Sequence, residues 1–521
     1  MHLFTQTIRF CYLCVTFTFG ATTSKLALGQ LVAGFSEIVD TTMVQRQLDA
    51  NLFINGRWEE GKAGSQPNID PGTGEAVGVV TLADAGQVQA ALDAAQRAFP
   101  AWSALTGQSR GAILKKASSL LADRAEHIAE GLLSESGKTR GDAIGEVRRT
   151  IETLAWNGEE AGRISGKIHQ GVVAGSIRLS VPVPLGVVLA ITPWNFPAVL
   201  VGRKLGAALA AGCTVILKAS EFTPHTARAI VQTLIDAGVP DGVLNLIFGD
   251  PAAISRQLMA SPLVKAVSFT GSTSVGKQLA ALAAPNLIRP ILELGGHAPV
   301  VVWDDADVEN VVHVTAPAKF GSAGQSCVAP TRYLAHYSVH DALVDALVAK
   351  AETYKIGHGS EHGTTLGPVA HAGRVASFLH LVEDAVAGGA VIKTGGKKLD
   401  RSGFYVEPTV LSSVPRDAKI LVDEPFGPIA TVQPIETIDQ AVDLANASEY
   451  SFAAYVFTDS IGVRDELVRR LNASNIGVNQ TAPSLPDVAL GGLGNSGYGY
   501  EGGTEGVLAY MHLRLVTQSQ G

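Results

Sequence analysis

Cysteine is scarce in this chain, with four in 521 residues, and charge is thin at 17 %. Four scattered cysteines make no disulfide framework, which excludes a stapled secreted scaffold and points to a reducing cytoplasm. Cys11 and Cys14 form a lone CxxC with no second half, so no zinc site is expected, and no other metal cluster is visible. Cys213 leads into an apolar strand and reads as a small buried hydrophobe. No Lys/Arg block or basic stripe accompanies the net charge of −8, which argues against a nucleic-acid partner. A clean membrane span is also missing: Leu3 to Ala21 is apolar and aromatic but interrupted by Thr, Gln and Arg9. That segment lacks a convincing cleavage site too, so residues 1–42 read as an over-extended start or a disordered extension before Met43.

What the chain has in quantity is hydrophobic residues, at 46 %, and glycine, at 56 positions. A chain of this length exceeds one core, so two or three α/β domains are expected, their glycines serving tight strand-to-helix turns. From Val88 to Ile168 the apolar spacing is helical, and Ile177 to Val183 alternates as an extended arm ending in prolines. The rhythm then changes. Val187–Ile191, Val215–Leu217, Val243–Phe248 and Val267–Phe269 are apolar runs separated by helices near 198–211 and 224–237. Such runs predict a parallel sheet covered on both faces. A second series follows residue 293, with a strand at Ala298–Val302, a helix at His340–Tyr354 and an edge strand near the C-terminus.

Two features of this frame suggest a nucleotide. Phe269-Thr270-Gly271-Ser272-Thr273-Ser274-Val275-Gly276 follows a strand and opens a helix, setting free N–H groups and the positive helix end toward a phosphate. Lys218 and Glu221 lie just past another strand, where open parallel sheets bind ligands and where the pair can grip ribose hydroxyls. A carboxylate on the 2′-hydroxyl would repel a 2′-phosphate by about 4 kcal/mol at 4 Å and an effective dielectric near 20, which favours NAD over NADP.

The reactive group is Cys327, in Gly324-Gln325-Ser326-Cys327, where small neighbours leave a thiolate accessible. Glu293, 34 residues earlier (327 − 293) in Glu293-Leu294-Gly295-Gly296, is suited to be its movable base. Together they indicate nucleophilic catalysis on a carbonyl.

With Pro193-Trp194-Asn195-Phe196-Pro197, Lys218-Ala219-Ser220-Glu221-Phe222-Thr223-Pro224 and Glu424-Pro425-Phe426-Gly427-Pro428, these motifs stand in an order that resembles the aldehyde dehydrogenase superfamily over residues 50–517. The resemblance implies a Rossmann-like NAD-binding domain (43–164 and 184–296), an α/β catalytic domain (297–484), and a small β oligomerisation arm with the C-terminal tail (165–183 and 485–521). It implies a homodimer or homotetramer. It makes Cys327 the nucleophile, Asn195 an oxyanion donor and Glu293 the base that activates water, with Lys204 and Glu501 serving proton exit. Ile191, Thr192, Pro193 and Trp194 would line the cofactor, as would Lys218, Ser220 and Glu221. Gly271, Ser272, Val275 and Leu294 would join them, and Glu424 and Phe426 would meet the nicotinamide ribose and ring.

The resemblance is strongest to NAD-dependent succinate-semialdehyde dehydrogenases, because Arg203 stands where members acting on simple or aromatic aldehydes often carry an aromatic residue. A guanidinium there can hold a substrate carboxylate, with Ser484 beside it. Such members can carry a second arginine six residues before the nucleophile, but Gly321 is there, and Val328-Ala329-Pro330 replaces a second cysteine. The alternatives are a dehydrogenase for uncharged aliphatic or aromatic aldehydes, a coenzyme A-acylating variant disfavoured by Glu293, and a non-catalytic NAD-binding scaffold. A scaffold would be free to lose Cys327, Glu293 or Asn195, and this chain retains all three.

Overall fold

The computed structural model describes residues 48–481 and 484–519. The expectations for residues 1–42 and for Cys11 and Cys14 lie outside the described residues. Among those described, no helix is long and apolar enough to cross a membrane, and no group of three or more His, Cys, Asp or Glu could hold a metal ion.

The expected parallel sheet is the centre of an eight-stranded one. Its middle strand, Val187–Ile191, is buried on both faces and pairs in parallel with Thr214–Lys218 on one side and Val264–Thr270 on the other. Leu244–Ile247 and Arg289–Glu293 extend it in parallel on either flank. The chain therefore leaves the middle strand in one direction and returns to build in the other. That reversal opens a crevice beyond the carboxyl ends of Val187–Ile191 and Val264–Thr270, where open α/β sheets bind ligands. The helix Pro197–Ala211 rises from this crevice; all fifteen of its residues are buried, which its Ala-, Leu- and Gly-rich composition allows. Short antiparallel strands close both edges, Leu52–Ile54 with Arg57–Glu59 at one and Gly497–Tyr498 at the other.

A seven-stranded sheet holds the second series, in the order 391–394, 409–412, 429–435, 330–336, 298–302, 453–457, 475–478. All its pairings are parallel except the one between the first two. Ala298–Val302 and Pro330–His336 are buried throughout, which again reads as apolar sequence without alternation.

A separate three-stranded sheet runs Met511–Ser519, Ser176–Pro184, Lys167–Gln170. Here the structure departs from the helical rhythm read through Ile168. The helix Arg140–Glu160 ends well before that residue, and Ile168 sits on a strand with its side chain in the open, 78 % exposed. Its apolar spacing matched a helix by coincidence, and pairing with Ser176–Pro184 decided the conformation. The C-terminal strand, Met511–Ser519, is an edge strand as its sequence suggested.

Candidate active site

The segment that carries Cys327 is held by backbone packing more than by side chains. After the helix Val308–Phe320 the chain turns through Ser322 and Ala323 at φ 48° and 52°, values that cost a non-glycine residue about 1–3 kcal/mol. Asp142 Oδ2 accepts the Ser322 N–H at 3.1 Å, and Lys138 Nζ donates to Ser322 Oγ at 3.3 Å, which offsets that strain. Gly324 follows at φ +70°, so close to its neighbours that a Cβ would lie 2.3 Å from the Gly427 carbonyl. On the other flank a Cβ on Gly296 would come within 2.1 Å of the Cys327 carbonyl. The Glu-Leu-Gly-Gly and Glu-Pro-Phe-Gly-Pro turns therefore grip the cysteine segment backbone to backbone.

Glu293 is the last residue of the strand Arg289–Glu293 and is buried. The Cys327 thiol donates to its Oε1 at 3.1 Å, and the Thr270 hydroxyl also acts on the carboxylate. Burial, and then the Glu293 carboxylate itself, pushes the Cys327 thiol well above its ordinary value. Burial also raises Glu293, and the Glu501 carboxylate adds to the effect. In this state the sulfur holds its proton and the carboxylate is the acceptor already in place.

Asn195 reaches the same segment from the first sheet. Its Nδ2 donates to the Gln325 carbonyl at 3.1 Å, which leaves one amide hydrogen uncommitted, and Oδ1 is unpartnered. Asn195 precedes the buried Pro197–Ala211 helix, whose first N–H groups are capped by Glu146: Ala198 and Val199 donate to its Oε1 at 2.8 and 3.2 Å. Glu146 Oε2 pairs with Lys138 Nζ at 2.8 Å, both side chains buried. The ammonium of Lys138 also lies 3.8 Å from the centroid of the Phe196 ring. The Lys138–Glu146 pair thus ties the Asn195 turn to the cysteine segment. Neither residue was anticipated from sequence; the available signal was one acid among the inward-facing Ala143, Val147 and Thr150 of the Arg140–Glu160 helix.

Two turns into the Pro197–Ala211 helix, Lys204 Nζ contacts Glu501 Oε1 at 2.5 Å and Ser268 Oγ at 3.1 Å, and both charged residues are buried. Arg203 beside it is only 6 % exposed. Its Nη2 donates to the Ser484 backbone carbonyl at 2.9 Å while Nε has no partner. Burial lowers the proton affinity of the Arg203 guanidinium, and the Glu501 and Glu293 carboxylates, joined by Cys327 when it is ionised, oppose that. Arg203 therefore stands within the field of the thiol–carboxylate pair.

The remaining positions gather around the crevice. Lys218 Nζ pairs with Glu221 Oε2 at 2.7 Å, and Glu221 Oε1 accepts from Gly249 at 2.8 Å. Ser220 Oγ accepts the Phe222 N–H. Gly271 donates to the Glu293 carbonyl, and Ser272 caps the helix Thr273–Ala283 by accepting from Val275, whose side chain is exposed. Leu294 packs so tightly on Gly276 that a Cβ there would meet it at 2.4 Å. Ile191 ends its strand, and after Thr192 and Pro193 the ring of Trp194 meets the edges of His371 (5.5 Å) and Phe426 (5.6 Å). Phe426 is held at φ +43°, and Arg374 Nη2 donates to the carbonyls of Pro425 and Phe426 at 2.5 and 3.0 Å. Glu424 Oε1 accepts from Gly296 at 3.0 Å, and burial pushes its carboxyl up to about 7. Thr192 and Thr223 each keep a buried hydroxyl without a partner. Unsatisfied hydroxyls, an acid at a strand end and a capped helix start fit a dinucleotide in this crevice.

A thiol hydrogen-bonded to a carboxylate, an amide anchored to the thiol's own segment and a crevice at the switch point of a parallel sheet stand together here. The aldehyde dehydrogenase family model matches residues 58–516, and this chain belongs to that family of oxidoreductases. It is 40 % identical to a 4-(hydroxymethyl)benzenesulfonate dehydrogenase of Comamonas testosteroni, over 89 % of this chain and 97 % of the relative. It is 36 % identical to the NADP-designated succinate-semialdehyde dehydrogenase of Escherichia coli K12, over 90 % of this chain and 98 % of the relative. A solved succinate-semialdehyde dehydrogenase from Burkholderia pseudomallei matches with a TM-score of 0.89 at 36 % identity, covering 91 % of this chain and 98 % of that one.

Proposed function

We propose that this protein oxidises a small aldehyde carrying an anionic group at its far end, with succinate semialdehyde as the type, to the carboxylate, with NAD as electron acceptor. The observation that carries the reading is Arg203, a buried guanidinium with an unpartnered Nε in the field of Cys327 and Glu293. The relatives support it, since the substrates in their names carry a sulfonate or a carboxylate.

In this reading Glu293 takes the thiol proton across the 3.1 Å hydrogen bond and the sulfur adds to the aldehyde carbon. The free hydrogen of Asn195 Nδ2 and the Cys327 N–H meet the resulting oxyanion; one such donor typically contributes about 3–4 kcal/mol. A dinucleotide would be held by the crevice residues and Glu424 and would supply the acceptor for the hydride that leaves the thiohemiacetal carbon as the thioester forms. Glu293 gives up the thiol proton through the neighbouring Lys204–Glu501 pair and, again ionised, draws a second proton from water, which hydrolyses the thioester. The buried Lys204–Glu501 pair, whose acid acts on Glu293, is the path by which that proton leaves.

Comparing kcat/KM for succinate semialdehyde, butanal and benzaldehyde tests the substrate. Wild type favours the carboxylated aldehyde, and Arg203→Gln erases that preference by roughly thirtyfold or more, as expected when one partner of a buried charge pair is removed. An unaltered preference in this variant sinks the reading. For the cofactor, NAD outcompetes NADP, and Glu221→Ala narrows the ratio of their kcat/KM values by at least about tenfold through lost like-charge repulsion. A ratio unmoved by that change would refute the role of Glu221. The apolar, exposed Leu513 and Leu515 on the edge strand Met511–Ser519 support pairing of this arm with a second copy, in a homodimer or homotetramer. The scarcity of cysteine supports a cytoplasmic setting.

A further inference from the structure

We propose that Arg149, on the Arg140–Glu160 helix, is a second anchor for the anionic end of the substrate, set at the rim of the site outside Arg203. The inference rests on the reading of Arg203 just given and extends it to a residue that no motif marks. The Arg140–Glu160 and Pro197–Ala211 helices meet at Thr150 and Gly202, where a Cβ on Gly202 would stand 2.8 Å from Thr150 Cγ2. Arg149 and Arg203 are the immediate chain neighbours of that contact. The Arg149 guanidinium carbon lies 5.9 Å from the centroid of Phe196, the residue that follows Asn195. The positive charge of Arg149 is felt at Arg203, where it opposes protonation.

The charge arrangement is what requires an explanation. On the same helix Arg148 pairs with Glu152, yet among the described residues Arg149 has no ion pair. The carboxylates that act on Arg203, Glu501 and Glu293, belong to the proposed machinery of the reaction. The like charge of Arg149 thus acts on Arg203 without an ion-pair partner of its own among the described residues, an arrangement an incoming carboxylate or sulfonate relieves. Arg203 is buried and Arg149 exposed, so the two cations lie at different depths. The inner one suits a short semialdehyde, and the outer one reaches the far oxygens of a longer or rigid anion such as an aryl sulfonate. Arg149 also supplies the second cation that Gly321 leaves missing from the cysteine segment.

Steady-state kinetics on wild type, Arg149→Gln, Arg149→Lys and Arg203→Gln, with succinate semialdehyde, 4-formylbenzenesulfonate and butanal, test the inference. At low salt Arg149→Gln lowers the ratio of kcat/KM for each anionic aldehyde over that for butanal by about three- to fivefold, as suits an exposed charge. The loss is carried by KM and is larger for the sulfonate. Arg149→Lys restores most of it, and the wild-type advantage shrinks between about 20 and 300 mM salt more than that of Arg149→Gln does. Arg149→Gln matching wild type in the ratio, or losing activity equally on all three substrates, overturns the proposal. A wild type indifferent to anionic aldehydes would bring down the Arg203 reading and this one together. A preference lost in Arg203→Gln but intact in Arg149→Gln brings down this one alone.

Discussion

Cys327→Ala abolishes aldehyde oxidation, by about 10⁴- to 10⁶-fold in kcat, because the reaction loses the atom that makes hydride departure possible. An aldehyde does not readily expel hydride, whereas a tetrahedral adduct with a developing oxyanion does. The surrounding scaffold should survive the change. The cysteine segment is held through Gly296, Gly324, Asp142 and Lys138, none of which touches the sulfur. Dinucleotide titration by protein fluorescence separates a dead enzyme from an unfolded one. The expected variant binds NAD and makes no NADH; steady turnover in it would end the assignment of Cys327.

Glu293→Gln has the second largest effect and a different signature. The amide keeps the shape of the carboxylate but cannot take a proton, so hydrolysis of the thioester slows by about 10²- to 10⁴-fold. At a pH above the variant's thiol midpoint, where the sulfur ionises without a base, mixing enzyme with saturating aldehyde and NAD then yields a burst approaching one NADH per subunit, followed by a slow steady phase. A uniform slow rate with no burst would place Glu293 outside deacylation. The same variant reports on the resting thiol. The Glu293 carboxylate raises the Cys327 pKa, so neutralising it lets the sulfur ionise at lower pH. Iodoacetamide alkylation without cofactor therefore has a midpoint above the usual 8.5 or so of a free thiol in wild type, and a lower midpoint in Glu293→Gln.

The parallel strands were legible because strands buried on both faces read as unbroken apolar runs, and Pro197 and Pro224 marked the helix starts. The thiol and its acid were legible as residue types in a motif order, although 34 positions apart (327 − 293), and their hydrogen bond is a tertiary fact. Lys138 and Glu146 were not legible, since a lone charged residue in a helical stretch ordinarily reads as solvated. Only the fold reveals that both are buried. His371, 177 positions from Trp194 (371 − 194), joins it across the two sheets by ring packing that no local pattern encodes. Ile168 misled because apolar spacing alone does not separate a helix face from an exposed arm.

The cysteine segment is clasped largely by carbonyl and amide groups that every side-chain repertoire shares, while the rim cations at 149 and 203 contribute no contact to that clasp. Substitutions at 149 and 203 can thus accumulate without displacing the sulfur, its acid or the amide of Asn195. Descendants of such a protein would be free to change diet, from short dicarboxylic semialdehydes to sulfonated arenes, while inheriting an untouched reaction centre.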